Sequence, residues 1–169
     1  LSMEMSDTEL AGRALSAESG LDRRPLKRGI VTADQAAMLQ AAGTRIARGP
    51  LYIDDTPALS IRDMRARARA WKRDPRVTWG SSKLGIVAVD YLQLASASNR
   101  HDNREQAIAE VSRGLKAIAK ELQLPVVACA QLNRETEKRA GAPILSDLRE
   151  SGAIEQDADV IAFLWHPVM

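Results

Sequence analysis

The stretch GIVAVDYLQLAS, Gly85–Ser96, decides the fold. An apolar run rich in Val and Ile ends abruptly on a bare carboxylate, Asp90. The run lacks the alternation of a half-exposed strand, which favours a strand covered on both faces, as in a parallel sheet. Two further runs read the same way, PVVACAQL (125–132) and DADVIAFLW (157–165). The expected strands are Val87–Asp90, Val126–Ala130 and Val160–Leu164. LYIDD (51–55) is a candidate fourth strand, and LSMEM (1–5) reads as the tail of a fifth.

Helical patterns lie between these runs. Ile108, Val111, Leu115, Ile118 and Leu122 recur at spacings of three and four. They predict a helix over Asn103–Leu122, capped by Asp102 or Asn103 and stopped before Pro125. Ser6 with Glu9, Thr32 with Gln35 and Ser60 with Asp63 are capping-box candidates. Gly20 fits the end of the first helix. The helix from Ser60 places Ile61, Met64, Ala68 and Trp71 on one side. Strands alternating with helices indicate an α/β domain with a mainly parallel sheet. Arg73–Lys83 reads as an exposed loop, and no internal repeat is present.

Composition sets bounds on chemistry. With 169 residues, 45% of them hydrophobic, the chain suits one domain with its own core. A net charge of +2 decides nothing about nucleic acid. The single cysteine, Cys129, excludes a disulfide framework or a cysteine zinc site within the chain, and a reducing cytoplasm is its natural compartment. His101 and His166 are isolated, so no metal role follows for either, and no Ser-His-Asp or Cys-His set can be assembled. No apolar run approaches the roughly 18 residues of a membrane helix, so no membrane partner is expected. The start, LSMEMSD, has no signal pattern and no initiator methionine, which suits a processed product or a piece of something longer.

Several residues are candidates for chemistry, each with a plainer alternative. In open parallel sheets ligands bind at the carboxyl ends of strands. Asp90 there can hold Mg²⁺ through water, or simply cap a turn. Gln131, at the end of the next run, fits either a sensor of a phosphate oxygen or a hydrogen bond to its own loop. Glu4, just before a capped helix, can orient an attacking water, or is a surface acid favoured by the helix dipole. The segment SDLRESGAIEQDAD (146–159) carries Arg149 and Gly152, which can contact the phosphates of a nucleic acid strand; otherwise it is a solvated loop. Arg62, Arg65, Arg67, Arg69, Lys72 and Arg73 crowd the helix from Ser60, a density that attracts nucleic acid but is more often a solvated helix face.

Taken together, the segments resemble the replicative helicase family named for bacterial DnaB. SMEMSDTEL is similar to that family's Ser-Leu-Glu-Met stretch, with Met3 in place of the usual Leu. GLDRRPLKRGIVTADQ is similar to its arginine- and glycine-containing connector. LYIDDTPALSIRDMRARAR, VDYLQL, EVSRGLKAIAKEL, AQLNR and SDLRESGAIEQDADVIAFL follow in the family's order. The resemblance covers nearly the whole chain; the loop Arg73–Lys83 looks longer than the family's.

The resemblance implies a RecA-like P-loop ATPase core, incomplete within residues 1–169, that works with ATP and Mg²⁺ as a homo-hexamer around single-stranded DNA. It implies 5′-to-3′ translocation and duplex unwinding in replication, with a primase and a helicase loader as partners. By the same resemblance Glu4 orients the water that attacks the γ-phosphate, Asp90 supports Mg²⁺, and Gln131 couples the γ-phosphate to the DNA side. Arg149, Glu150 and Gly152 lie on the loop that follows the DNA backbone.

No Gly-x-x-x-x-Gly-Lys-Ser/Thr occurs in the chain. The phosphate loop is expected upstream of Leu1 and the trans-acting cations beyond Met169, so the 169 residues alone are expected to be inactive. Two other readings are a non-catalytic module that binds single-stranded DNA or a helicase subunit, and a recombinase-type RecA-fold ATPase. The segment 146–159 argues against the last, because it resembles the helicase more closely.

Overall fold

The computed structural model describes residues 1–49, 51–75, 85–96, 104–133, 136, 141–148 and 152–166. They divide into two compact units. One comprises Leu1, Met3 and the chain from Thr56; the other comprises Ser2 and Glu4–Asp55.

In the first unit, β1 (Val87–Val89) and β2 (Val126–Ala128) pair in parallel, with Val87 opposite Val126 and Val89 opposite Ala128. The chain end adds to the other edge of β1. The Leu1 ammonium donates to Ala88 O (2.7 Å), Asp90 N donates to Leu1 O (2.9 Å), and Met3 N donates to Asp90 O (2.8 Å). LSMEM therefore does contribute a strand-like edge through Leu1 and Met3.

Helix α5 (Arg104–Leu122) follows β1 and α4 (Ile61–Arg73) precedes it. The expected α5 stripe is the buried one: Ile108, Val111, Leu115, Ile118 and Leu122 all join the core with Val87, Val89, Leu92, Met64 and Ala68. At its end Gln123 takes a positive φ of 51°, and Leu124 N returns to Ala119 O (3.2 Å), closing the last turn before Pro125. Ser60 caps α4 in a reciprocal box: it accepts from Asp63 N and the Asp63 side chain accepts from its backbone. The short helix α6 (Gly152–Asp157) returns to α5, where Ser112 Oγ donates to Asp157 Oδ2 (2.7 Å) and Lys116 pairs with Asp159 (2.5 Å).

The second unit is helical. Helix α1 (Asp7–Ser19) is capped by Ser6, which accepts from Glu9 N, and ends on Gly20 at φ 71°. Helix α3 (Ala33–Arg48) opens with the reciprocal Thr32–Gln35 box and packs on α1, where Leu15 meets Gly43. Between them the connector forms a short helix, α2 (Arg23–Lys27), capped by Asp22 and tied to α1 through Arg23 and Lys27 to Glu9, each at 3.9 Å. Pro25 sits in the first turn of α2, where no N–H is needed.

Three expectations are corrected. Val160–Leu164 forms no strand among the described residues, with Val160 85% and Leu164 97% exposed. Residues 51–55 form no strand. The strands are also not covered on both faces: Val87 and Val89 are buried while Ala88 between them is exposed, and Val127 is half exposed. The reason is common to the first and last. An apolar run forms a buried strand only where a sheet edge and a covering layer meet it, and the described residues supply helices to one face of a two-stranded sheet. The cap at Asp102 or Asn103, His101, and most of the loop expected at Arg73–Lys83 lie outside the described residues.

Candidate functional site

Asp90 stands where β1 ends. Its backbone is held on both sides, by Leu1 and Met3, and the next peptide, Asp90–Tyr91, is cis. Its carboxylate is half-buried and makes no hydrogen bond or ion pair among the described residues. The alternative of a turn-capping Asp finds no such bond. Its charge is felt nearby: partial desolvation first, and the negative Asp90 second, push the Cys129 thiol above its ordinary value. Cys129 is bonded through its N–H to Val89 O (2.9 Å), on the neighbouring strand.

Gln131 lies just past β2, at the same carboxyl end of the sheet as Asp90. The chains part here. Leu92 N donates to Cys129 O (2.9 Å), and β1 then turns away into a short 3-10 turn, Leu92–Leu94. Beyond that point the Gln93 side chain takes over. Its Nε2 donates to Gln131 O (3.1 Å) and its Oε1 accepts from Gln131 N (3.1 Å). Arg104, the first residue of α5, donates through Nη2 to Gln93 O (2.8 Å). Two residues further on, Asn133 N donates to Asp147 O (3.0 Å). Asp147 is buried and accepts through Oδ2 from Ile144 N (2.8 Å), and Leu148 beside it is buried as well. Gly152 begins α6 and is exposed. Arg149 and Glu150 lie outside the described residues.

In the other unit Glu4 sits in a tight turn. Ser2 Oγ donates to Met5 O (2.7 Å) and accepts from Met5 N (3.2 Å), so one buried hydroxyl closes the turn. Ser2 N is in turn held by Asp54 O (2.8 Å). The Glu4 side chain is exposed and has no bonded partner among the described residues. A carboxylate presented this way is available to bind water or a cation.

The basic row on α4 has a different occupation. Arg65 and Arg69 both engage Glu121 of α5, Arg67 donates to Thr56 Oγ1 (3.2 Å), and Lys72 donates to Leu122 O. Arg69 first and Arg65 second hold the Glu121 carboxyl below its ordinary range. These four cations fasten α4 to its own unit.

No cluster of three or more His, Cys, Asp or Glu able to hold a metal occurs among the described residues. What the first unit offers a cation at the strand ends is the carboxylate of Asp90, unpartnered among the described residues, which suits contact through water. No helix of the described residues is long and apolar enough to cross a membrane.

Sequence reasoning passed over Gln93, the Ser2 turn and the Ser112–Asp157 bond. Gln93 was visible inside VDYLQL, three residues past the acid, but a loop amide carries no signal by itself until its partner backbone is known.

Comparison with known proteins gives a consistent result. The family described as DnaB-like helicase C-terminal domain matches residues 1–169. The replicative DNA helicase DnaB of Geobacillus stearothermophilus is 43% identical over 166 residues, which cover 97% of this chain and 35% of that protein. The DnaB of Mycobacterium leprae is 44% identical over 167 residues, 98% of this chain and 26% of that protein. The chain thus spans about a quarter to a third of the length of these relatives. Among solved structures, one described as an ATPase domain superposes with a TM-score of 0.88 at 34% identity, over 98% of this chain and 57% of that one. A DnaB-like replicative helicase, described with its interactions with primase, gives a TM-score of 0.84 at 34% identity, over 94% of this chain and 37% of that one. The fold is therefore that of part of the α/β, RecA-like core of a helicase ATPase domain, and the chain belongs to the DnaB-like helicase C-terminal domain family.

Proposed function

We propose that residues 1–169 are part of the RecA-like ATPase domain of a replicative DNA helicase. The parent protein couples ATP hydrolysis to 5′-to-3′ movement on single-stranded DNA and to unwinding of the duplex. It works in the cytoplasm as a homo-hexamer, with a primase and a helicase loader as partners. The observation that carries this reading is the strand-end pair. Asp90 and Gln131 close two adjacent parallel strands at one end of the sheet, and the Asp90 carboxylate has no bonded partner among the described residues.

Mg²⁺ would supply neutralisation of the charge on the phosphates. Asp90 fits the support of such an ion through water, because its carboxylate is half-buried and uncommitted. Glu4 fits the orientation of an attacking water, being presented to solvent on a closed turn. Gln131 is the residue that senses the γ-phosphate, and the Asn133–Asp147 bond ties its segment to the loop bearing Arg149, Glu150 and Gly152, which follow the DNA backbone. ATP itself needs a cradle of backbone amides and a lysine. The chain has no Gly-x-x-x-x-Gly-Lys-Ser/Thr, so hydrolysis is assigned to the parent and not to these 169 residues alone.

The test is strand displacement by the full-length parent on a duplex with one single-stranded tail. Displacement requiring ATP and Mg²⁺, on a 5′ tail and not on a 3′ tail, is the expected result. Binding to the tail without displacement on either substrate would favour the non-catalytic module instead.

A further inference from the structure

We infer that Gln93 is a positioning residue for Gln131, acting as a side-chain substitute for the strand partner that Gln131 has lost. The inference rests on the reading of Gln131 as the γ-phosphate sensor.

The need for such a residue follows from the backbone. Parallel pairing satisfies β2 up to Cys129, whose carbonyl takes the last bond from β1 at Leu92 N (2.9 Å). Past it β1 has turned away, and among the described residues the N–H and C=O of Gln131 have no strand beside them. A primary amide presents one donor and one acceptor side by side, the same pair that a facing peptide offers. Gln93 uses both, at 3.1 Å each, on the two backbone groups of one residue. Two bonds to a single residue fix its orientation as well as its place. The direction in which the Gln131 side chain leaves the main chain is thereby set by Gln93.

Gln93 is itself anchored. Its carbonyl accepts from Arg104 at 2.8 Å, at the start of α5, and it sits three residues after Asp90. The clamp therefore joins the strand end carrying the metal-supporting acid to the strand end carrying the sensor. From Gln131 the chain runs to Asn133 and its bond with Asp147, at the root of the DNA loop. A shift at Asp90 can reach Gln131 through this one amide, and a shift at the DNA loop through the Asn133–Asp147 bond.

The experiment uses the full-length parent and measures ATP hydrolysis with saturating single-stranded DNA. Gln93→Met keeps the length and removes both bonds. Gln93→Glu keeps the acceptor for Gln131 N and loses the donor to Gln131 O. Two lost hydrogen bonds that act only through Gln131 are expected to lower kcat about tenfold in Gln93→Met, and at least as much in Gln93→Glu, whose second carboxylate oxygen faces Gln131 O, with the KM for ATP within about twofold. The double variant with Gln131→Ala is expected to be no slower than Gln131→Ala alone, because coupled residues are not additive. Losses that multiply in the double variant, or a lowered melting temperature with kcat unchanged, would overturn the positioning role. Gln131→Ala with undiminished DNA-stimulated turnover would instead overturn the sensor reading on which it rests. If Gln93→Met does not fold, the comparison of Gln93→Glu with and without Gln131→Ala decides alone.

Discussion

Glu121 shows how a charge can be spent on structure. It lies on α5 and receives Arg69 and Arg65 from α4, which depress its proton affinity below the ordinary glutamate value of roughly 4.3. A depressed folded value means the carboxylate form favours the folded state. That contribution is complete above the ordinary value and fades as pH falls through the folded value. The stability difference between the protein and its Glu121→Gln variant should therefore be constant from pH 7 down to about pH 5 and shrink at lower pH, read by urea melts. The pair is solvent-screened, so the difference should be small and should diminish with salt. The sequence displayed the arginines plainly, but their partner is some fifty residues away along the chain, which no local pattern connects. Asp90 stood out for the opposite reason: an apolar run ending on an acid is a local contradiction, visible within a few residues.

At the scale of elements, the α4–α5 contact depends on a residue that composition hides. A Cβ on Gly114 would overlap Ile61 Cγ1 and stand 3.2 Å from Ile61 Cβ, so the crossing is possible because Gly114 has no side chain. Glycine costs an α-helix about 1 kcal/mol relative to alanine, and the close approach offsets this. Gly114→Ala should destabilise by about 1–2 kcal/mol, the overpacking penalty less the helix gain. In an Ile61→Ala background the same change should be neutral or stabilising, by up to about 1 kcal/mol. Equilibrium denaturation of the four proteins measures both. The stripe of α5 and the boxes at Thr32 and Ser60 were readable because a helix writes its buried face and its caps into a single turn's spacing. The Gly114 approach was not, since it joins two helices more than fifty residues apart.

The whole molecule was legible in kind and not in extent. Three unalternating runs announced a parallel sheet, and β1 and β2 are such a pair. The third run, Val160–Leu164, has the composition of a buried strand yet forms no strand among the described residues and exposes Val160 and Leu164, as Val127 on β2 is half exposed. Periodicity reports what a segment can bury and is silent on whether a neighbour stands beside it. The candidate site shows the same limit. Residue type and place made Glu4, Asp90 and Gln131 candidates and the family resemblance gave them roles, whereas the amide that connects two strand ends needed coordinates.

The central claim is that this chain carries the hydrolytic acids of a helicase ATPase, and the parent protein with Glu4→Gln tests it most directly. Amide for carboxylate keeps size and removes the base. ATP binding should stay within about threefold of the unaltered protein, while phosphate release should fall by about 10²–10⁴, the usual worth of a positioned acid or base. Asp90→Asn, measured alongside, should lose turnover in a way that rising Mg²⁺ partly restores, a response Glu4→Gln should not share. Undiminished phosphate release by Glu4→Gln, with ATP bound normally, would contradict the account.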